Sequence, residues 1–303
     1  MRRALLPSRT STADPRVLDK SREGYGSTWY LRVGAEVYRH APAPLLCRLS
    51  RLVVRGRYFW KEHRHESFEW ILCERGRYDC TVNGQSLRLA PGEGMLIQPE
   101  DMHEDRCAVP TTFVSVNFHL VPREAQHRIL HADIPQQARI VTYERAEVES
   151  LLAAIMKECS AGDSCAAQVQ DGLLRAVLWR LIRLIPAAHL HGDFARLRED
   201  ETFGRSLVDL FERYLSADLS APKMAQAFGI STRRLEQRCR GILGVSPAGA
   251  FRAYRLDRAR VLLGDPTMSV GQVGALVGYS DPFQFSRSFK RQFGHPPSAK
   301  RGG

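Results

Sequence analysis

Two hydrophobic rhythms divide the chain. From Tyr30 to about His119, apolar and β-branched residues gather in short runs such as Phe68 to Cys73, Tyr78 to Val82 and Phe113 to Phe118, the pattern of strands. Glu74-Arg75-Gly76, Asn83-Gly84 and Pro91-Gly92-Glu93-Gly94 punctuate these runs, and Asn-Gly is the pair that supplies positive φ in a two-residue hairpin. Short strands joined by tight turns predict a barrel or sandwich. After Pro122 the spacing lengthens to a helical period. Val148, Leu151, Leu152 and Ile155 form one stripe, and Leu173, Leu174, Val177, Leu178, Leu181, Ile182 and Ile185 a second. Pro186 stops that second helix, the polar stretch Gly192 to Glu201 reads as a linker, and from Gly204 onward every stripe has the length of a short helix. The expected organisation is a disordered tail over 1–27, a barrel over 28–122, a helix pair over 123–190, a linker over 191–203 and an all-α domain over 204–303. The helix pair either seals the barrel or forms a dimer seam. The fold class expected is two-domain α+β.

Composition narrows the classes. An apolar fraction of 44% over 303 residues suits packed cores and excludes a fibrous or wholly disordered chain. No stretch approaches the roughly 18 uninterrupted apolar residues of a membrane helix, and the first residues lack a charged-then-apolar leader pattern; a cytoplasmic protein with no membrane partner is expected. The seven cysteines are an odd number with no C-x-x-C pair, which points to reduced thiols. Charge is uneven. Residues 201–303 carry 16 Lys and Arg against 8 Asp and Glu, a net +8 of the chain's +11, leaving +3 for the first two hundred. A basic field confined to the all-helical third points to a polyanion.

That third repeats one local design. A helix-turn-helix needs a short support helix, a tight turn and a second helix whose outer face is polar enough to enter the major groove. Ala221 to Phe228, Gly229-Ile230-Ser231 and Thr232 to Leu243 provide these parts once; Ser269 to Val277, Gly278 to Asp281 and Pro282 to Phe293 provide them again. In the last helix Phe285, Phe289 and Phe293 recur every four residues and face inward, which turns Gln284, Arg287 and Arg291 outward. In the earlier one Leu235, Cys239 and Ile242 face inward, leaving Arg233, Gln237 and Arg240 outside, with Arg234 beside them. Arg and Gln are the side chains that bind guanine and adenine edges bidentately. A helix of about 25 Å over Pro247 to Leu263 separates the units, so one chain could read two half-sites about 34 Å apart.

The run Arg255 to Leu263, then Val270 to Gly278, Asp281, Phe285 to Gly294 and Pro297-Ser298 resembles the signature of the AraC/XylS regulators over about a hundred residues. The resemblance implies a homeodomain-like double helix-turn-helix domain in which Arg233, Gln237, Gln284 and Arg287 read bases. The chain departs from the family pattern at Gln237, where arginine is common, at Cys239, where phenylalanine is common, at Phe283, where a small polar residue is usual, and at Lys300, where tyrosine is usual.

In the strand-rich segment, His63-Arg64-His65 followed by Glu69 and Gly76, with Pro99 and His103 downstream, is similar to the two cupin motifs. The front segment thereby resembles the cupin-like sensor barrel of AraC-type regulators. The resemblance assigns His63, His65, Glu69 and His103 to the positions that bind one divalent ion in metal cupins; Glu100 stands where a glycine is usual. Three uses stay open for these residues: a divalent metal, a small organic effector with Trp70 as a further pocket wall, or histidines that satisfy one another in a core.

The expectation is therefore a bacterial transcription regulator, not an enzyme, that binds a bipartite promoter site in double-stranded DNA under control of a small-molecule effector. RNA polymerase and a second copy of the chain are the further partners expected, with the protein on the nucleoid when DNA-bound. The rival from another class is a metal-dependent cupin enzyme whose helical tail binds a partner.

Overall fold

The computed structural model describes residues 29–39, 41–121, 127–161 and 163–301; the tail expected over 1–27 lies outside the described residues. The described residues divide into two compact units, one within 41–198 and the other made of 199–301 with 29–39.

The first unit is built on antiparallel strands. A five-stranded sheet has the order β1 (Ala43–Val54), β8 (Thr111–Val121), β3 (Phe68–Arg75), β6 (Glu93–Ile97) and β9 (Ile140–Thr142), and a four-stranded sheet the order β2 (Tyr58–His63), β7 (His103–Cys107), β4 (Tyr78–Val82) and β5 (Gln85–Leu89). The expected barrel is thus an open pair of sheets. Hydrogen-bonded pairing among the described residues runs within each sheet, and side chains such as Ile71, Tyr78, Val82, Met95 and Phe113 fill the layer between them. Asn83-Gly84 makes the predicted hairpin turn, with φ of 49° and 79°.

Strand β3 is buried along nearly its whole length because both of its faces are covered. Alternation sends Phe68, Trp70 and Leu72 one way, onto helices α2 (Arg145–Ala161) and α3 (Ala166–Ile182). Ile71 and Cys73 go the other way, into the layer between the sheets, and Glu69 shares their face.

Helix α4 (Gly192–Arg213) occupies the stretch expected to be a linker. Its polar residues bond along the helix, Asp193 to Arg196 at 2.8 Å and Glu201 to Arg205 at 2.9 Å, while Phe194 is buried in the first unit and Phe203, Leu207 and Phe211 in the second. A surface helix with a narrow apolar stripe has the average composition of a linker.

The second unit holds the two expected helix-turn-helix pairs. They are α5 (Ala221–Ala227) with α6 (Thr232–Leu243), and α8 (Val270–Leu276) with α9 (Pro282–Phe293), on either side of α7 (Pro247–Leu262). Each start is capped by a side chain that accepts backbone N–H bonds: Ser220, Ser231, Ser246, Ser269 and Asp281. Helix α7 is apolar on two sides. Ala250, Phe251 and Tyr254 enter the core of the first pair, and Leu256, Ala259 and Leu262 that of the second. From it Arg255 donates to the carbonyls of Tyr214 and Ala217 and lies 4.2 Å over the Phe251 ring. Gly278, at φ +81°, closes the second turn against that guanidinium; a Cβ there would come within 2.6 Å of Arg255 Nη2.

One helix was not expected. Residues 29–37 form α1, which belongs to the second unit although the strand reading had placed Tyr30 onward in the barrel. Trp29 packs edge-on against Tyr254 at 5.4 Å, Val33 fills the space that any side chain at residue 204 would occupy, and Tyr38 donates to Glu201 at 2.6 Å. Trp29→Ala is expected to cost about 3–5 kcal/mol, seen as a lower denaturant midpoint for the unit that carries α5–α9. An unchanged midpoint would remove α1 from that core.

Candidate functional site

Two groups of side chains stand out, one in each unit. In the second unit, the inward faces of α6 and α9 are fixed by Leu235, Cys239 and Ile242 and by Phe285, Ser288 and Phe289, all buried. Arg233, Arg234, Gln237, Arg240, Gln284, Arg287 and Arg291 are all exposed, so every DNA-contact candidate lies on an outer face. Arg240 bonds Glu236 one turn back at 2.9 Å. Arg238 is different. Its guanidinium donates to Asp200 Oδ1 at 2.8 Å and to the Glu199 carbonyl at 3.1 Å, and lies 4.2 Å over the Phe203 ring. It therefore positions α6 on α4, and the sequence reading had given it no part. At the start of α9, Asp281 accepts from the backbone N–H groups of Phe283 at 2.9 Å and Gln284 at 3.2 Å, which sets the direction in which the helix presents its first residues.

In the first unit, β2, β3 and β7 and the turns beside them bring His63, His65, Glu69 and His103 together. The ring centroids of His63 and His103 are 4.0 Å apart, those of His65 and His103 5.1 Å, and a ligand atom from each of the three histidines lies within 4.8 Å of the others. Each ring has its Nδ1 on a backbone carbonyl: His63 on Lys61 at 3.0 Å, His65 on Ser67 at 2.8 Å, His103 on Asp101 at 3.2 Å. A carbonyl can only accept, so each Nδ1 carries a proton and Nε2 is the nitrogen each ring has left for partners within the cluster. Asp101 is itself held by Asn83 at 2.8 Å and by the buried Arg139 at 2.5 Å, which makes the His103 orientation part of a larger network.

Glu69 Oε2 faces His65 Nε2 at 3.1 Å and His103 Nε2 at 3.5 Å, and Oε1 accepts from Ser115 Oγ at 2.5 Å. Burial pushes the Glu69 carboxyl up, but His103, His65 and Ser115 outweigh it and hold the pKa down at about 2. Burial favours a neutral His103, yet Glu69 and the Asp101 carbonyl raise its pKa above the ordinary value. Asp105, two residues along β7 on the same face, is pushed up by burial and accepts from Tyr78 Oη at 2.6 Å. Asp105, Tyr78 and Ser115 escaped the sequence reading, although the period of two along β7 and β8 places Asp105 beside His103 and Ser115 opposite Ile71 in register.

The cluster fits a divalent transition ion. Three imidazoles and a carboxylate are a usual donor set for zinc, iron, manganese or nickel, backbone carbonyls on the far nitrogens are the outer support such ligands have, and the buried His103 Nε2 has no hydrogen-bond partner. Trp70, expected as a further pocket wall, does not share this face. It lies on the opposite face of β3, packed among Phe118, Val148 and Leu178 under the helix pair, and lines nothing near the histidines.

Comparison with known proteins supplies the wider context. A family model described as an AraC-like ligand binding domain matches residues 54–207, and one described as a helix-turn-helix domain matches residues 224–302. The HTH-type transcriptional activator RhaS of Escherichia fergusonii is 25% identical over 253 residues, covering 80% of this chain and 87% of its own length. The HTH-type transcriptional activator RhaR of Pectobacterium atrosepticum is 25% identical over 251 residues, covering 79% and 85%. Among solved structures, a transcriptional regulator from Chromobacterium violaceum, of the AraC-type DNA-binding domain-containing proteins, is 33% identical over 31% of this chain and 85% of its own, with a TM-score of 0.30.

Glu100 sits beside the histidines in the left-handed region, at φ +68°, the conformation that a glycine would take without strain. Its N–H donates to the His65 carbonyl at 3.1 Å and its carboxylate pairs with the exposed Arg64. Glu100→Gly is expected to raise stability by about 0.5–1 kcal/mol, read as a higher denaturant midpoint; a loss of stability would mean that the Arg64 pair outweighs the backbone strain.

Proposed function

The chain belongs to the AraC family of transcription regulators, and on that premise we propose that it reads a bipartite promoter site through the outer faces of α6 and α9 and senses its effector at the histidine–glutamate cluster. Family membership makes the protein an effector-responsive, DNA-binding transcription regulator rather than an enzyme. The observation that carries the proposal is the pair of exposed Arg and Gln rows on two helices whose opposite faces are locked into cores on either side of α7.

Arg233, Arg234, Gln237 and Arg240 take one half-site and Gln284, Arg287 and Arg291 the other, with base edges read by the residues central on each face and phosphates held at the rim. The effector acts by binding the DNA-competent arrangement more tightly than its alternative, the only way a ligand shifts an equilibrium. Activation is the direction that the names of the RhaS and RhaR relatives support. Contact with RNA polymerase, a homodimer joined through the helix pair, and residence in the cytoplasm, on the nucleoid when bound, complete the proposal. No helix among the described residues is long and apolar enough to cross a membrane.

His63, His65, His103 and Glu69 would hold a divalent ion. Bound there, it would supply a Lewis-acidic anchor for an oxygen-bearing effector. The protein's own part is to fix the four side chains, through the Lys61, Ser67 and Asp101 carbonyls and Ser115, so that little reorganisation accompanies binding.

Two measurements test these assignments. In titrations of selected DNA sites, Arg287→Ala should cost about 1–3 kcal/mol and relax preference at one base position, and binding by the parent should weaken linearly in log–log terms as salt rises. A variant indistinguishable from the parent at every position would displace α9 from the groove. The chain loaded with zinc and desalted should retain about one ion per molecule by elemental analysis, and a His63→Ala, His103→Ala double variant should retain none; equal retention by both would sink the metal assignment.

A further inference from the structure

The outer face of α9 carries one residue that neither phosphate contact nor polar base readout explains. Phe283, the second residue of the helix, is 78% exposed, more than any other large hydrophobic side chain among the described residues. It lies four residues before Arg287 and eight before Arg291, hence on one stripe with them, and about half a turn around the helix from the buried Phe285 and Phe289. Its backbone is fixed, because its N–H is held by Asp281 Oδ1 at 2.9 Å.

A single exposed aromatic ring is ordinary on a protein surface. This one stands at the N-terminal end of a row whose proposed use is to lose its water against the major groove. Most groups on base edges there are hydrogen-bond donors or acceptors, and a phenyl ring pressed on them would strip their water without replacing it. The exception is the C5 methyl of thymine, the apolar group of the groove edge. We infer that Phe283 is a specificity-determining residue that packs on a thymine methyl in the half-site read by α9, beside the base contacted by Arg287. The inference rests on the proposed DNA reading. It adds an apolar component to a face otherwise made of charge and hydrogen bonds, and it predicts discrimination of thymine from both cytosine and uracil at one position.

The test uses the full chain. Sites are selected from random duplex DNA, and each thymine of the α9 half-site is then replaced in turn by deoxyuridine, which removes the methyl and leaves the pairing unchanged. For the parent, one position should show binding weakened roughly 3- to 10-fold. For Phe283→Ala that position should show no uracil penalty, while Phe283→Leu should keep part of it. Circular dichroism of both variants should match the parent, since the side chain touches no core. A parent indifferent to uracil at every thymine of the half-site, or a Phe283→Ala variant that keeps the full penalty, overturns the inference while leaving DNA reading intact. Selection that enriches no sequence overturns the DNA reading and this inference with it.

Discussion

Helix α7 has to be buried on two sides, and the DNA-reading unit depends on it. Phe251 and Tyr254 close one small core and Leu256, Ala259 and Leu262 another, so neither helix-turn-helix pair can shift along α7 without opening its own apolar layer. Helices of seven residues such as α5 and α8 have no stability of their own in water. Their caps and this shared wall supply it. The separation of α6 from α9 is therefore a packing property, and Arg255 with Gly278 reinforces it by tying α7 to the end of α4 and to the second turn.

Polarity is partitioned just as strictly in the sensing unit. Strand β3 has no solvent side, so its residues divide between two dry environments, and Glu69 is the carboxylate delivered to the one between the sheets. A buried carboxylate is costly unless it is charged and surrounded by donors. Ser115 and His65 provide them, His103 Nε2 faces the same oxygen at 3.5 Å, and the three ring-to-carbonyl bonds keep the imidazoles aimed. The arrangement is stiff because each imidazole is held by backbone at Nδ1, and His65 also by Glu69 at Nε2.

The bounds of α6 and α9 were legible in the sequence, Thr232 to Leu243 and Pro282 to Phe293, because cap, apolar period and closing glycine all lie within a few residues of one another. The histidine cluster was legible as residue types at motif spacing. Its geometry was not, since Asp105, Tyr78 and Ser115 come from strands that meet only in the folded sheets. Trp70 was misplaced because a strand buried on both faces shows no alternation to read. The linker over 191–203 proved helical because Phe194 and Phe203 are sparse signals in a polar stretch. Helix α1 did leave a trace, Trp29, Val33 and Val37 at four-residue intervals, but a three-residue stripe beside a polar tail carries little weight without its partner, and that partner lies more than two hundred residues away.

That distance has a consequence for how the molecule is made. Trp29 leaves the ribosome long before Tyr254, and at about 5–20 residues per second the wait between them is roughly 10 to 45 seconds. Throughout that time the apolar side of α1 has no place to go, while the entire sensing unit is synthesised and can fold on its own contacts. The last third of the chain then finds one piece of its core already waiting at the far end of the polypeptide. A translation product that stops early leaves Trp29 and Val33 in water, the kind of exposed apolar surface that chaperones and proteases recognise, so the N-terminal helix marks an unfinished regulator until the segment that touches DNA has arrived.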